Sequence, residues 1–192
     1  MDRQFIVAIA GSAGSHRRLI ELFEQTPHDD VAYVILQHLP ATWESQLRVI
    51  LSRHTKLPVQ EIRNGMVVRK DVIYVAPAGK YVTIHRDIFT TMERTGRVHQ
   101  TADIFMRSLA GNSGKRAIGI VLEGMLDDGT VGLRAIREVG GMTMVQDLET
   151  CKFRAMPESA IVAGVVDKVT EIGMMPRLIQ EYVGGVEARR GV

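Results

Sequence analysis

The sequence predicts an α/β fold: a doubly wound, mostly parallel sheet with helices on both faces and an antiparallel hairpin region around residues 58–93. Three observations lead there. Continuous apolar runs at 5–10, 31–36 and 117–122 read as buried strands, and shorter strand-like pieces stand at 142–146 and 165–169. Apolar residues at helical spacing follow most of these runs, as in βαβ units. Between 58 and 93 the strand-like pieces follow one another too closely for crossover helices.

The first unit is strand 5–10, the turn Gly11–Ser12–Ala13–Gly14, and a helix over 16–25 carrying Leu19, Ile20, Leu22 and Phe23. A polar loop with His28, Asp29 and Asp30 leads to strand 31–36, which ends at Gln37–His38–Leu39–Pro40. Pro40 biases the residue before it away from helix. Thr42 can cap the next helix, whose apolar stripe is Trp43, Leu47, Ile50 and Leu51, with His54 at its rim. Pieces at 59–62, 72–75, 81–84 and 88–91 are separated by turn residues such as Asn64–Gly65 and Arg86–Asp87, which predicts hairpins added to the main sheet. After a polar stretch at 94–101, Ile104, Phe105, Ser108 and Leu109 form a helical face. Strand 117–122 ends in Glu123–Gly124–Met125–Leu126–Asp127–Asp128–Gly129, and a helix with Val131, Ala135, Ile136 and Val139 follows. Strand 142–146, a short helix opening at Met156–Pro157, strand 165–169 and a helix over 175–183 complete the order. Residues 1–184 are expected to form one domain, with 185–192 a flexible tail.

Composition narrows the function. With 192 residues, 45% hydrophobic and 24% charged, the chain can build one sizeable core, and a formal net charge of +2 favours neither polyanion binding nor an acidic tail. The basic pairs Arg17–Arg18, Arg69–Lys70 and Arg189–Arg190 lack the interleaved aromatics of a nucleic-acid surface, so no nucleic-acid partner is expected. One cysteine, Cys151, excludes an intrachain disulfide and a cysteine-rich zinc site. No apolar run reaches the ~20 residues of a membrane span and no signal-peptide core is present, so a cytoplasmic protein that is not membrane-embedded is expected.

Ser12, His38 and Asp127–Asp128 all follow strands. In a mostly parallel sheet those strand ends share one rim, where ligands of open α/β folds bind. Each group has ordinary readings as well. Ser12 fits a plain glycine turn with a serine cap, a phosphate cradle or a presented nucleophile; the first glycine of G-x-S-x-G is Ala10 here. His38 fits a hydrogen-bonded loop histidine or a general base, and Asp127–Asp128–Gly129 a turn, a helix cap or a metal-binding pair. Together they match the needs of a serine hydrolase: a hydroxyl, a base that titrates near neutrality and a carboxylate that orients it. The remaining histidines show no H-x-x-x-H or H-E-x-x-H spacing, and the turn lacks P-loop and dinucleotide fingerprints.

Five motifs in order carry a resemblance. Ala10–Gly11–Ser12–Ala13–Gly14–Ser15, Leu36–Gln37–His38–Leu39–Pro40, Tyr74–Val75–Ala76–Pro77, Gly124–Met125–Leu126–Asp127–Asp128–Gly129 and Met156–Pro157–Glu158–Ser159–Ala160 resemble the catalytic domain of the CheB family of chemotaxis-receptor protein-glutamate methylesterases. The likeness runs from about Phe5 to Val183. It implies hydrolysis of glutamate γ-methyl esters on the cytoplasmic helices of methylated chemoreceptors, with glutamine deamidation as a related activity and no metal or organic cofactor. By the same resemblance Ser12 is the nucleophile, His38 the base and then acid, Asp128 the orienting carboxylate and the Met125 N–H an oxyanion donor, with Ala13 and Gly14 beside the substrate. A receptor methyltransferase or a separate receiver protein is a further implied partner.

The chain departs from the family pattern in ways that carry expectations. Ala13 replaces a threonine beside the nucleophile. Ala10 and Ser15 stand where glycines are usual, and are expected to alter the turn or crowd the substrate channel. Glu123 replaces a small hydroxyl residue and Asp127 an asparagine, and their charge near His38 is expected to favour imidazolium and raise the pH optimum above neutral. Residues 94–101 lack a common Arg-Pro step. Many members carry an N-terminal receiver domain that covers the site until phosphorylated. Only four residues precede Phe5 in this sequence, which is therefore expected to contain no receiver domain, either as a stand-alone protein or as a fragment of a longer one; a stand-alone enzyme should keep its rate when a phosphodonor is added. The altered motifs also admit a silent module that binds receptor or methyltransferase, and an esterase for another methyl ester shares the same residues.

Overall fold

In the computed structural model, residues 4–12, 14–37, 41–94 and 100–189 are described, with backbone alone for 41–45. The first half runs β1 (Phe5–Gly11), α1 (His16–Glu24), β2 (Val31–Gln37), α2 (Ala41–His54), β3 (Val59–Glu61), β4 (Ile73–Val75), β5 (Lys80–His85) and β6 (Ile88–Glu93). The second runs α3 (Thr101–Ser113), β7 (Ala117–Val121), α4 (Thr130–Glu138), β8 (Met142–Gln146), α5 (Ala155–Val162), β9 (Lys168–Thr170) and α6 (Met175–Ala188).

Seven strands form one parallel sheet in the order β3-β4-β2-β1-β7-β8-β9. β1 shows why these strands are apolar throughout. Ile6, Ala8 and Ala10 pack into a core with Phe105, Met106, Leu133 and Met156, while Phe5, Val7 and Ile9 pack into a second core with Leu19, Leu22, Leu47, Leu51 and Ile179. Alternate residues thus face helices on opposite sides, and burying each large one contributes about 1.5–3 kcal/mol. The doubly wound prediction holds.

The direction of winding reverses at the centre of the sheet. From β1 the chain moves through α1 to β2 on one side, and from β7 through α4 to β8 on the other. The carboxyl ends of β1 and β7 therefore border the crevice that such a switch creates.

The hairpin expectation needs correction at its first half. β3 and β4 are parallel strands of the main sheet, and the chain between them crosses over as a loop without a helix. Only β5 and β6 are antiparallel, in a separate two-stranded sheet. That hairpin holds the crossover loop: Val68 N donates to Asp87 O at 2.8 Å, Gly65 N to Phe89 O at 2.8 Å and Phe89 N to Met66 O at 2.9 Å. The loop's backbone polarity is thereby satisfied, so a loop suffices where a helix is usual. Two further boundaries differ. β9 begins at Lys168, after Val165 and Val166, and α6 continues to Ala188 instead of ending near 183, because Val186 still packs against the core. The predicted Thr42 cap and Trp43 contact lie outside the described side chains; Leu47 and Leu51 are buried and His54 is at the rim, 2.7 Å from Glu24 Oε1.

Candidate active site

Ser12 follows the last residue of β1, and the turn after it is tightly closed. Ser15 N donates to Ser12 O at 3.0 Å, and the Ser15 hydroxyl donates to the same carbonyl at 2.8 Å. Gln37 Nε2, at the end of β2, donates to Ser15 Oγ at 2.5 Å. Ser15 is fully buried, so it braces the turn and does not crowd a channel. Ala10 likewise points into the core beside α3 and α4, contrary to the expectation of crowding. Gly14 adopts φ +128°, which side chains rarely tolerate, and lets the chain leave the turn against the Phe153 ring. Among the described residues Ser12 Oγ makes no hydrogen bond and remains partly exposed.

Across the crevice, the loop after β7 carries the second cluster. Ser12 N donates to Glu123 O at 3.4 Å, tying the two strand ends together. A Cβ on Gly124 would lie 2.8 Å from Ser12 Cβ and 2.2 Å from Met156 Sδ, so glycine is required for this approach. Gly124 N and O bond Phe153 O and Met156 N, at 2.9 and 3.2 Å, which fixes the loop's first half. Met125 and Leu126 are then exposed, Leu126 with φ 70°, and among the described residues no acceptor takes the Met125 N–H.

Asp128 is buried, and its carboxylate caps a helix from outside that helix's own sequence. Oδ2 accepts from Ala102 N and Oδ1 from Asp103 N, both at 3.0 Å, in the first turn of α3. The reverse holds for Asp103, whose Oδ1 accepts from Gly129 N at 3.0 Å and Gly132 N at 2.7 Å at the start of α4. Each helix N-terminus therefore receives a carboxylate from the other segment, satisfying orphan amides and complementing the dipole. Burial raises the Asp103 pKa above its ordinary value, with the neighbouring Asp128 and Asp127 charges adding to the rise and the Gly132 and Gly129 amides opposing it.

Glu123 is also buried, yet its charge is compensated. Its Oε1 lies 3.4 Å from Arg18 Nε and its Oε2 accepts from Lys152 N at 2.6 Å. Glu123 is thus paired with Arg18, which it shares with Glu21, while its expected effect on His38 lies outside the described residues. Burial, followed by the Glu123 charge, pushes the nearby Cys151 thiol up to about 11, so it is protonated and a poor nucleophile at neutral pH.

The structure brings Ser12, Gly14, Met125 and Asp128 to one rim, flanking the β1/β7 crevice. His38 and Ala13 lie outside the described residues; His38 follows Gln37, the register partner of Gly11. Sequence reasoning missed Asp103, Gln37 and Arg18. An aspartate in a predicted first turn signals a cap for Asp103, whereas the other two depend on tertiary neighbours alone. Among the described residues no group of three or more His, Cys, Asp or Glu side chains is arranged to hold a metal ion, and no helix is long and apolar enough to cross a membrane.

The CheB methylesterase family model matches residues 7–179. A protein-glutamate methylesterase/protein-glutamine glutaminase 3 of Rhodopseudomonas palustris (strain BisB18) is 33% identical over 184 residues, covering 91% of this chain and 50% of that protein. A protein-glutamate methylesterase/protein-glutamine glutaminase of Photorhabdus laumondii subsp. laumondii is 28% identical over 196 residues, covering 99% and 56%. The crystal structure of the Thermotoga maritima CheB methylesterase catalytic domain superposes with a TM-score of 0.86 at 26% identity, covering 93% of this chain and 98% of that one. The chain spans about half the length of the curated relatives it matches.

Proposed function

The chain belongs to the CheB methylesterase family, and from that premise we propose that it hydrolyses glutamate γ-methyl esters on the cytoplasmic helices of chemotaxis receptors, with glutamine deamidation by the same route. The observation that supports this reading is that Ser12, whose hydroxyl makes no hydrogen bond among the described residues, is bonded through its backbone to the end of β7, next to the loop that carries Met125 and the buried Asp128 carboxylate.

In this reading Ser12 Oγ attacks the ester carbonyl carbon while His38 takes its proton. Asp128 orients the imidazole and stabilises its charged form. The tetrahedral oxyanion is met by the Met125 N–H, a donor that no acceptor among the described residues takes. Collapse expels methoxide, to which His38 returns the proton, giving methanol and an acyl-enzyme. Water, deprotonated by His38, then attacks the acyl carbon, releasing the glutamate carboxylate and restoring Ser12. With a glutamine side chain the leaving group is ammonia and the remaining steps are the same.

Methanol release from methylated receptor cytoplasmic fragments tests this. Wild-type protein should release methanol, and Ser12→Ala should lose at least about a thousandfold in rate while keeping its fold. A folded wild-type chain that releases none would overturn the proposal.

A further inference from the structure

A cavity of about 370 Å³ opens beside the nucleophile turn, between the first turn of α1 and the segment after β8, lined by Gly14, His16, Arg17, Arg18, Glu123 and Lys152. Two of its walls belong to the site already described: Gly14 is two residues beyond Ser12, and the Glu123 carbonyl accepts from Ser12 N. Its charges divide into two sets. Arg18 is committed, with Nε 3.4 Å from Glu123, one terminal nitrogen 3.3 Å from Glu21 Oε2 and the other donating to Thr150 O at 2.6 Å. Arg17 and Lys152 are not: both are exposed, and neither pairs with a carboxylate among the described residues. The Lys152 ammonium sits 5.4 Å from the centre of the Phe153 ring, which packs against Gly14.

We propose that this cavity is an acidic-side-chain subsite, taking a carboxylate of the substrate protein next to the esterified glutamate. The inference rests on the methylesterase reading and names what flanks the reacting residue. A methyl ester is neutral, so Arg17 and Lys152 have nothing to gain from the reacting group itself. Placed against the new carboxylate they would retain product. Standing to the α1 side of Ser12, they meet a neighbouring side chain. Arg18, half-buried and engaged by Glu123 and Glu21, lines the cavity with its charge already committed, leaving the two exposed cations to select a negative partner.

The test uses two short helical peptides with a central γ-methyl glutamate, one flanked by glutamates and the other by glutamines, titrated by fluorescence anisotropy against the Ser12→Ala protein. The acidic peptide should bind about fivefold or more tightly, with a preference that shrinks between about 50 and 300 mM salt. Adding Arg17→Ala and Lys152→Ala should bring the two peptides together. In the catalytically intact chain the same double change should raise KM for the acidic peptide about fivefold while kcat moves less than twofold. Equal affinity for the two peptides, no binding of the acidic one, or a preference that survives the double change overturns the subsite. Selective binding without methanol release from either peptide leaves the subsite standing and removes the methylesterase reading alone.

Discussion

The Ser15 hydroxyl donates to the Ser12 carbonyl while accepting from Gln37, so a side chain as well as the backbone closes the turn that carries the proposed nucleophile. A serine where glycine is usual thus links the ends of β1 and β2, and its effect could not be read from the motif, because Gln37 becomes a neighbour only through strand register. Glu123 follows the same logic: buried and paired with Arg18, it supports the loop by accepting from Lys152 N. Asp127 differs, being exposed beside Asp128. In the proposed mechanism its charge favours the protonated form of the His38 imidazole, weakened through solvent. The acid limb of kcat/KM against pH should therefore lie above the ordinary histidine value of about 6.5, and Asp127→Asn should move it down by about 0.2–0.5 pH unit. A wild-type profile already flat at pH 6, or a limb that ignores the substitution, would contradict this.

At the scale of elements, the exchange of carboxylates between α3 and α4 is the device that holds the candidate site. Neither helix carries a side-chain cap of its own: Gln100 and Gly129 make none. Asp128 and Asp103 supply them across the interface, where Gly132 lets α4 approach the Met106 side chain. Losing either carboxylate strands two amides, so Asp103→Ala should cost about 1–3 kcal/mol in urea unfolding. The two caps share one interface, so Asp103→Ala and Asp128→Ala combined should cost less than the sum of the single changes by about 0.5 kcal/mol or more. Strict additivity would show that the caps act independently. Element types were mostly legible: the continuous apolar runs of β1, β2 and β7 read as buried strands, and Leu19, Leu22 and Phe23 as a helix. β3 and β4 were not, since a parallel pair joined by a loop requires the β5–β6 hairpin as its partner, and that support is a tertiary fact. The candidate site was legible as Ser12 and Asp128 at strand ends; the reciprocal capping was not, because it depends on how two helices dock.

Over the whole molecule, the same burial that positions the site sets how stability responds to pH. Two aspartates at opposite ends of the sheet are affected. Asp29 accepts from the Tyr33 hydroxyl and from Val31 N, Asp103 caps α4, and both have pKa values raised, first of all by burial. A raised value means the folded state binds the proton more tightly than the unfolded chain. From the ordinary aspartate value of 3.8 up to the raised value, the native protein holds the greater share of protons, so stability falls as pH rises through that window. Below 3.8 both states are protonated and the contribution is fully present; above the raised value it is gone. Asp103→Asn keeps an acceptor oxygen for Gly129 N and Gly132 N but removes the titration. Urea midpoints measured from below pH 3.8 to pH 7 should therefore show the wild type losing stability relative to Asp103→Asn as pH rises, with the difference levelling once the carboxyl is ionised. A difference that stays constant across this range, or grows in favour of the wild type, would mean that the α4 amides, and not burial, govern Asp103.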